Sequence, residues 1–188
     1  SAWRRARCGL GRTHQAAVLF PELTVRQTIE VALEARGRTS VLATALQLPP
    51  ARKRERRRRS EADDILAFLG LGRYADVQIA NLSTGTRRIV ELAGLLALDA
   101  QLLCLDEPTA GVAQRETEAF GPLILEIRRE LDASLLVIEH DMPLIMGISD
   151  RVVCLEAGRT IAEGAPSAVR DDSLVIASYL GTDTRSIE

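Results

Sequence analysis

Two adjacent carboxylates, Asp106 and Glu107, follow the apolar run LLCL and precede Pro108. The run is typical of a buried strand, and α/β proteins bind ligands at the edge of the sheet where their strands end. Asp106 can hold Mg²⁺ directly or through water, because hard cations take oxygen ligands. Glu107 can polarise an attacking water. An ordinary strand end followed by a turn explains this stretch equally well when it is taken alone.

Three other stretches carry residues suited to phosphate chemistry. His140 ends a second apolar run and can donate a hydrogen bond to a phosphate oxygen at the same sheet edge. Ser83 as a helix N-cap, with Gly85 in the first turn, would leave N–H groups at a positive helix end, where anions bind. Gln15 can bridge a metal and a water through its amide. Each stretch also has an ordinary structural explanation, so none is decisive alone.

The elements that must position these residues alternate between strands and helices. Strands are predicted at 16–20, 101–107 and 134–141, where apolar residues do not alternate with polar ones. Because helices separate these strands, we predict a mainly parallel sheet covered on both faces. A glycine turn between two strand-like runs predicts a hairpin over 151–164. Helices are predicted at 25–36 after the cap Thr24, 51–69 ended by Gly70 and Gly72, from the cap Ser83, and at 113–132, 142–149, 166–170 and 173–180.

Composition restricts the class of protein. The 188 residues are 46% hydrophobic with a net charge of −2, which is ordinary for a globular domain and not for a general polyanion binder. The three cysteines form no CxxC pair, and their odd number favours a reducing, cytoplasmic setting. No apolar run approaches the roughly 18 residues of a membrane span, and no signal peptide is visible.

The order of these motifs resembles the ATP-binding cassette of ABC transporters from about residue 9 to residue 181. GRTHQAAVLFPELTV looks like the Q-loop region, LSTGT the signature, LLCLDEP the Walker B strand and VIEHD the switch-histidine strand. The branched-chain amino acid subfamily is the most similar, through RTHQ with LFPELTV, VIEHDMPLIMGISDRVVCLEAGRTIAEG and the ending VIASYLG.

The resemblance implies a P-loop NTPase-like α/β core over 1–20 and 99–188, with a helical subdomain over 21–98 that carries the signature. It implies that ATP and Mg²⁺ are the cofactors. It assigns metal contacts to Asp106 and Gln15, the catalytic base to Glu107 and the γ-phosphate sensor to His140. The ATP of the opposite protomer would be contacted by Ser83, Gly85 and Thr86.

The function implied is an ATP-binding and hydrolysing subunit or domain that energises an importer of branched-chain or other amino acids. Its partners would be a transmembrane permease subunit or fused membrane domain and a second cassette, at the cytoplasmic face of the cell membrane. The alternative is a non-catalytic or non-transport cassette that contributes its signature motif in trans. No nucleic acid is expected, because no aromatic residues interleave the basic run 52–59. That run is best explained as a solvated half of a helix, although anionic lipid or nucleic acid also fits its charge.

Several positions depart from the family pattern. The P-loop pattern GxxxxGK[ST] is absent, no glycine precedes a lysine, and Lys53 lies inside the basic run. We expect that the sequence is truncated before this Walker A part, which would leave sheet edges and core uncovered. Thr86 stands where the family usually has Gln or Glu, and Ala113 where it has Asn or Asp. Both departures predict a weakened contact with the partner cassette.

A polypeptide of these 188 residues should hydrolyse Mg-ATP at a negligible rate. Losing one preorganised donor from a catalytic site costs about 3 kcal/mol, or roughly 10²- to 10³-fold in rate, and the P-loop supplies several. Phosphate release by the purified chain measures this. Robust turnover that Glu107→Gln abolishes would contradict the prediction.

Overall fold

The structure, a computed structural model, describes residues 2–13, 19–36 and 49–180. The chain divides into two units, Ser1–Ile138 and Glu139–Glu188. None of the helices in the described ranges is both long and apolar enough to cross a bilayer.

The first unit contains a three-stranded parallel sheet. Its strands are β1 Leu10–Arg12, β2 Leu102–Asp106 and β3 Ser134–Ile138, in the order β1-β2-β3. The register places Arg12 beside Cys104, and Asp106 beside Ile138. The predicted parallel α/β sheet is therefore confirmed, with the carboxylates at the carboxyl end of the central strand.

The first strand lies earlier in the chain than the sequence predicts. The sequence predicts the first strand over 16–20, but β1 occupies Leu10–Arg12. Of the predicted segment, 16–18 lie outside the described residues, and Leu19 and Phe20 are not in a strand. The glycines of GLGR are typical of a loop, which hid β1. Position 11 requires glycine, because a Cβ at that position would come within 2.9 Å of a Leu95 methyl and 3.0 Å of the Ala100 methyl.

The helices of the first unit follow the predicted pattern, except that α1 was not predicted. Local interactions account for their ends. Thr24 and Gln27 form a capping box, in which each residue's backbone N–H donates to the other's side-chain oxygen, at 2.9 and 3.2 Å. The helices are α1 Ala2–Arg7, α2 Val25–Arg36, α3 Pro49–Phe68, α4 Thr84–Ala97 and α5 Gln114–Leu131, with two 3-10 turns at Gly72–Tyr74 and Ile79–Asn81.

Gly70 ends α3, as predicted. Its φ of +65° is left-handed, and Leu71 donates its N–H to the Leu66 carbonyl at 2.8 Å. Helices α2, α3 and α4 pack on one another around a shared apolar core. Its fully or almost fully buried members include Val25, Ile29, Leu66, Leu71 and Val90.

One expectation about β3 is wrong. The run SLLVIEHD was predicted to be a buried strand in a sheet covered on both faces, yet Leu136 and Ile138 are each 58% exposed. The register puts them on the same sheet face as Cys104 and Asp106, and Leu102 on β2 is exposed as well. An apolar strand is buried only where another element covers it, and in the part of the chain that the structure describes this face remains open to solvent.

The second unit is built on an antiparallel hairpin, as predicted. Strands β4 Val152–Glu156 and β5 Arg159–Gly164 are joined by Ala157 and Gly158, both with positive φ, as a type I′ turn requires. Three helices accompany the hairpin: α6 Met142–Ile148, α7 Pro166–Arg170 and α8 Ser173–Leu180. Val152, Val169 and Val175 form its buried core.

Gly11→Ala should lower the free energy of unfolding by about 1 to 3 kcal/mol, because the new methyl overlaps Leu95 and Ala100. Urea denaturation of the purified chain measures the change. The matched control is Gly94→Ala in the interior of α4, where a Cβ meets nothing within 4 Å. That change should raise stability by about 0.5 to 1 kcal/mol through helix propensity. Equal effects at both glycines would show that β1 does not pack on α4 as described.

Candidate functional site

The carboxyl end of β2 is held from the β1 side by Thr13. The hydroxyl of Thr13 accepts the backbone N–H of Asp106 at 3.0 Å. The N–H of Thr13 donates to the carbonyl of Cys104 at 3.0 Å. Thr13 is 1% exposed, so this pair of bonds is shielded from water. The backbone that presents the Asp106 side chain is therefore fixed by its neighbour.

Arg12 forms an ion pair with the Asp106 carboxylate. The distance from its terminal nitrogen to Oδ2 is 3.3 Å, with the two side chains 59% and 29% exposed. A pair this exposed contributes about 1 kcal/mol or less. The Asp106 oxygens therefore remain exchangeable ligands that a stronger cation can take from Arg12.

Glu107 lies at the start of a sharp turn. Its φ is +45°, a left-handed conformation that non-glycine residues seldom adopt. Its N–H donates to the Ile138 carbonyl on β3 at 2.9 Å, and its carbonyl accepts the Ala110 N–H at 3.0 Å. Backbone strain of this kind collects at functional sites, where the surrounding structure maintains it.

Ser83 caps α4, as predicted. Its Oγ accepts the Thr86 N–H at 3.2 Å and lies 2.9 Å from the Thr86 hydroxyl. Ser83 is exposed, whereas Gly85 is buried. The exposed hydroxyl stands beside the positive end of a 14-residue helix, an arrangement that favours an anion.

The turn after the carboxylates approaches the start of α4. Gly111 has a φ of +75°, and a Cβ there would lie 3.3 Å from the Thr84 side-chain methyl. The structure thus brings the loop after Walker B next to the signature segment of the same chain. Among the described residues of the first unit, Asp106 and Glu107 lie at the end of β2, and Ser83, Gly85 and Thr86 lie at the start of α4, which this loop approaches.

His140 lies in the second unit, at the start of the segment that leads to α6. Its ring is 78% exposed, with Nδ1 3.8 Å from Oε2 of Glu139. The Glu139 side chain is fully buried, and the same oxygen accepts the His140 N–H at 3.1 Å. Asp141 caps α6 by accepting the Leu144 N–H at 3.0 Å. Together these carboxylates fix the backbone on which the histidine is presented.

Three neighbours of the predicted residues were missed by the sequence reasoning: Arg12 and Thr13 beside Asp106, and Glu139 beside His140. Arg12 and Thr13 were missed because GLGR did not look like a strand, so the residues at its end drew no notice. Glu139 was treated as part of a strand end. Conversely, Gln15 was predicted to contact the metal, and it lies outside the described residues.

The described residues fit a magnesium ion in part. Within 2–13, 19–36 and 49–180, no cluster of three or more His, Cys, Asp and Glu side chains has the arrangement of a metal site. Asp106 and Glu107 nevertheless supply the carboxylate oxygens that Mg²⁺ prefers. This ion usually takes one or two carboxylates and completes its shell with water and substrate phosphates. The donor set therefore fits a nucleotide-bound Mg²⁺ better than an ion held by protein alone.

Two family models match the chain. One, described as "ABC transporter", matches residues 1–110, and the other, "Branched-chain amino acid ATP-binding cassette transporter", matches residues 159–184. Together they cover the carboxylates, the segment around Ser83 and the second strand of the hairpin.

Curated relatives agree with these models. The "high-affinity branched-chain amino acid transport ATP-binding protein LivG" of Escherichia coli K12 is 37% identical over 94% of this chain and 69% of its own length. BraF of Pseudomonas aeruginosa, which has the same description, is 36% identical over the same shares. A zinc import ATP-binding protein, ZnuC of Cereibacter sphaeroides, is 41% identical but covers 60% of this chain.

Solved structures share the fold. The cassette cbiO1 of Clostridium perfringens, described as part of the ABC transporter complex cbiONQ, aligns with a TM-score of 0.71 at 24% identity. That alignment covers 96% of this chain and 66% of cbiO1. The ADP conformation of MJ1267, an ATP-binding cassette of an ABC transporter, aligns with a TM-score of 0.70 at 25% identity, over 95% of this chain and 71% of MJ1267.

Thr13→Val should lower the free energy of unfolding by about 1 to 3 kcal/mol, because it leaves the Asp106 N–H unsatisfied at a buried position. Faster hydrogen exchange at the Asp106 amide is the direct measurement. Thr13→Ser is the matched control, since it keeps the hydroxyl and should retain protection of that amide. Unchanged exchange in Thr13→Val would show that the hydroxyl does not hold the strand end.

Proposed function

This chain belongs to the ABC transporter family, and we propose from that premise that it is an ATP-binding subunit or domain that energises an importer of branched-chain amino acids. The observation that carries the proposal is the paired carboxylate at the end of β2, whose backbone is tied to both neighbouring strands. The chain spans about two thirds of the length of its relatives, so the activity of the whole protein is proposed and not read from this sequence.

Asp106 and Glu107 have different roles in ATP hydrolysis. Asp106 would hold Mg²⁺, whose charge stabilises the phosphate oxygens of bound ATP. Glu107 would accept the proton of the attacking water, since it is a carboxylate that directly follows the metal ligand at the end of β2. Arg12 keeps the Asp106 carboxylate paired until the nucleotide arrives.

Other residues of the family pattern would contact the nucleotide or the metal. Ser83, Gly85 and Thr86 bind the ATP of a second cassette through the exposed N-terminus of α4. His140 donates a hydrogen bond to the γ-phosphate, with Glu139 fixing its backbone. Gln15 would contact the metal and signal to the membrane subunit. These roles rest on the family pattern together with the exposure of Ser83 and His140.

The proposed partners are a permease, as a separate subunit or a fused domain, and a second cassette. The relatives support both, since one solved cassette is described as part of a transporter complex and another as a dimer. The chain would then work at the cytoplasmic face of the membrane, as a peripheral component.

Branched-chain amino acids are the substrate class best supported. The LivG and BraF alignments extend over 94% of the chain, compared with 60% for the zinc import protein. The second family model also covers the second strand of the hairpin and the two helices that follow it, which lie beyond the shared ATPase motifs.

Introducing Glu107→Gln into the chromosomal gene should greatly reduce the uptake of labelled leucine, isoleucine and valine by cells that express this protein. Loss of a general base lowers the rate of hydrolysis by roughly 10²- to 10⁴-fold. Initial uptake rates are the measurement. Glu118→Gln, at an exposed position on α5, is the matched control and should leave uptake unchanged.

A second variant distinguishes a catalytic cassette from one that only contributes its signature motif to a partner cassette. Ser83→Asp keeps an N-cap but brings a negative charge beside the phosphates, so it should abolish uptake too. Loss of uptake in Ser83→Asp with full uptake in Glu107→Gln would mean that the chain contributes only its signature in trans. Normal uptake of all three amino acids in both variants would contradict the proposed substrate class.

A further inference from the structure

The first half of α3 carries a dense positive charge. Residues 52–59, here called the basic segment, contain seven arginine and lysine residues and one glutamate. They lie within a helix of 20 residues, Pro49–Phe68. All of them are exposed except Arg58, which is partly buried.

The helical repeat directs part of the basic segment straight outward. The buried side of α3 is formed by Ala51, Ala62, Ile65 and Leu66. At about 100° per residue, Lys53, Arg56 and Arg57 lie on the opposite side of the helix. These three residues are called the outer basic face.

Several other cations that lie on or beside α3 are paired with acids. Arg58 pairs with Glu34 at 3.2 Å, Arg36 pairs with Glu61 and Asp99, and Arg26 pairs with Asp63 and Asp76. Within the described ranges, no acidic side chain forms an ion pair with any residue of the outer basic face. Its charge is therefore available to a ligand of opposite sign.

This charge opposes the stability of the helix that carries it. Lys53 lies three residues before Arg56 and four before Arg57, spacings at which like charges repel. The charges also occupy the half of α3 nearest the positive end of the helix dipole, and the first turn has no acidic residue. Packing and helix formation therefore do not explain the segment, whereas a bound anion would relieve both penalties.

We propose that the outer basic face binds the anionic head groups of membrane phospholipids. Arginine suits this role because its planar guanidinium pairs with phosphate through two hydrogen bonds. Residues 49–67 contain no aromatic side chain, so they offer no platform for stacked nucleic-acid bases. The choice of lipid over nucleic acid rests on the proposed function, which places the chain beside a membrane.

The test is flotation of the chain with lipid vesicles, which separates bound protein from aggregates. Vesicles of phosphatidylcholine with one quarter phosphatidylglycerol should bind the chain at least about tenfold more tightly than pure phosphatidylcholine. The attraction should fall as salt rises, because the Debye length shortens to about 8 Å at 0.15 M.

The triple variant Lys53→Gln/Arg56→Gln/Arg57→Gln should weaken binding to the anionic vesicles by about 100-fold. This follows from about fivefold for each cation near the surface. The matched control, Arg5→Gln/Arg129→Gln/Arg159→Gln, removes the same charge from three scattered exposed positions and should bind nearly as the wild type does. The melting temperature of the triple variant should equal or exceed that of the wild type, because repulsion within α3 is relieved.

Three results would overturn the proposal: equal binding to neutral and anionic vesicles, equal losses in the triple variant and its control, or tighter binding to a duplex DNA or RNA than to the anionic vesicles at the same salt. The assay requires neither ATP nor transport. Absence of vesicle binding would therefore not contradict the proposed ATPase role. Likewise, an uptake result that contradicts the transport role would not affect the interpretation of the vesicle assay.

Discussion

The central strand β2 is held at its carboxyl end from both sides, and the arrangement of the candidate site depends on this. Thr13 accepts the Asp106 N–H from one neighbouring strand end, and the Ile138 carbonyl accepts the Glu107 N–H from the other. The backbone N–H groups of two successive residues thus donate hydrogen bonds to opposite sides of β2. The left-handed conformation at Glu107 can persist because the turn cannot relax without breaking one of these bonds.

Features encoded by neighbouring residues were predictable from sequence. The cap at Thr24, the cap at Ser83 and the left-handed Gly70 each depend on a few residues whose own chemistry selects the conformation. The carboxylates and His140 were found because apolar runs that end in polar residues mark strand ends. These interactions need no information about distant parts of the chain.

Features that depend on distant residues were not predictable in this way. Gly11 looked like a loop residue, because its role is to admit Leu95 from a helix more than 80 positions later. Thr13 becomes important only when paired with Asp106. The exposure of Leu136 likewise depends on what covers the sheet, and an apolar pattern reports only that a strand is suited to burial.

The open face of the sheet makes concentration a variable in the behaviour of this protein. Within the described chain, β3 is an outer strand of its sheet, and the exposed Leu136 and Ile138 lie along it, beside Leu102 of β2. Two copies whose open faces meet there can bury apolar surface without any change inside either fold. Self-association then competes with every intended partner, and its share grows with the amount of protein made. The rate of synthesis relative to the supply of partners would decide how much of the chain stays in working form.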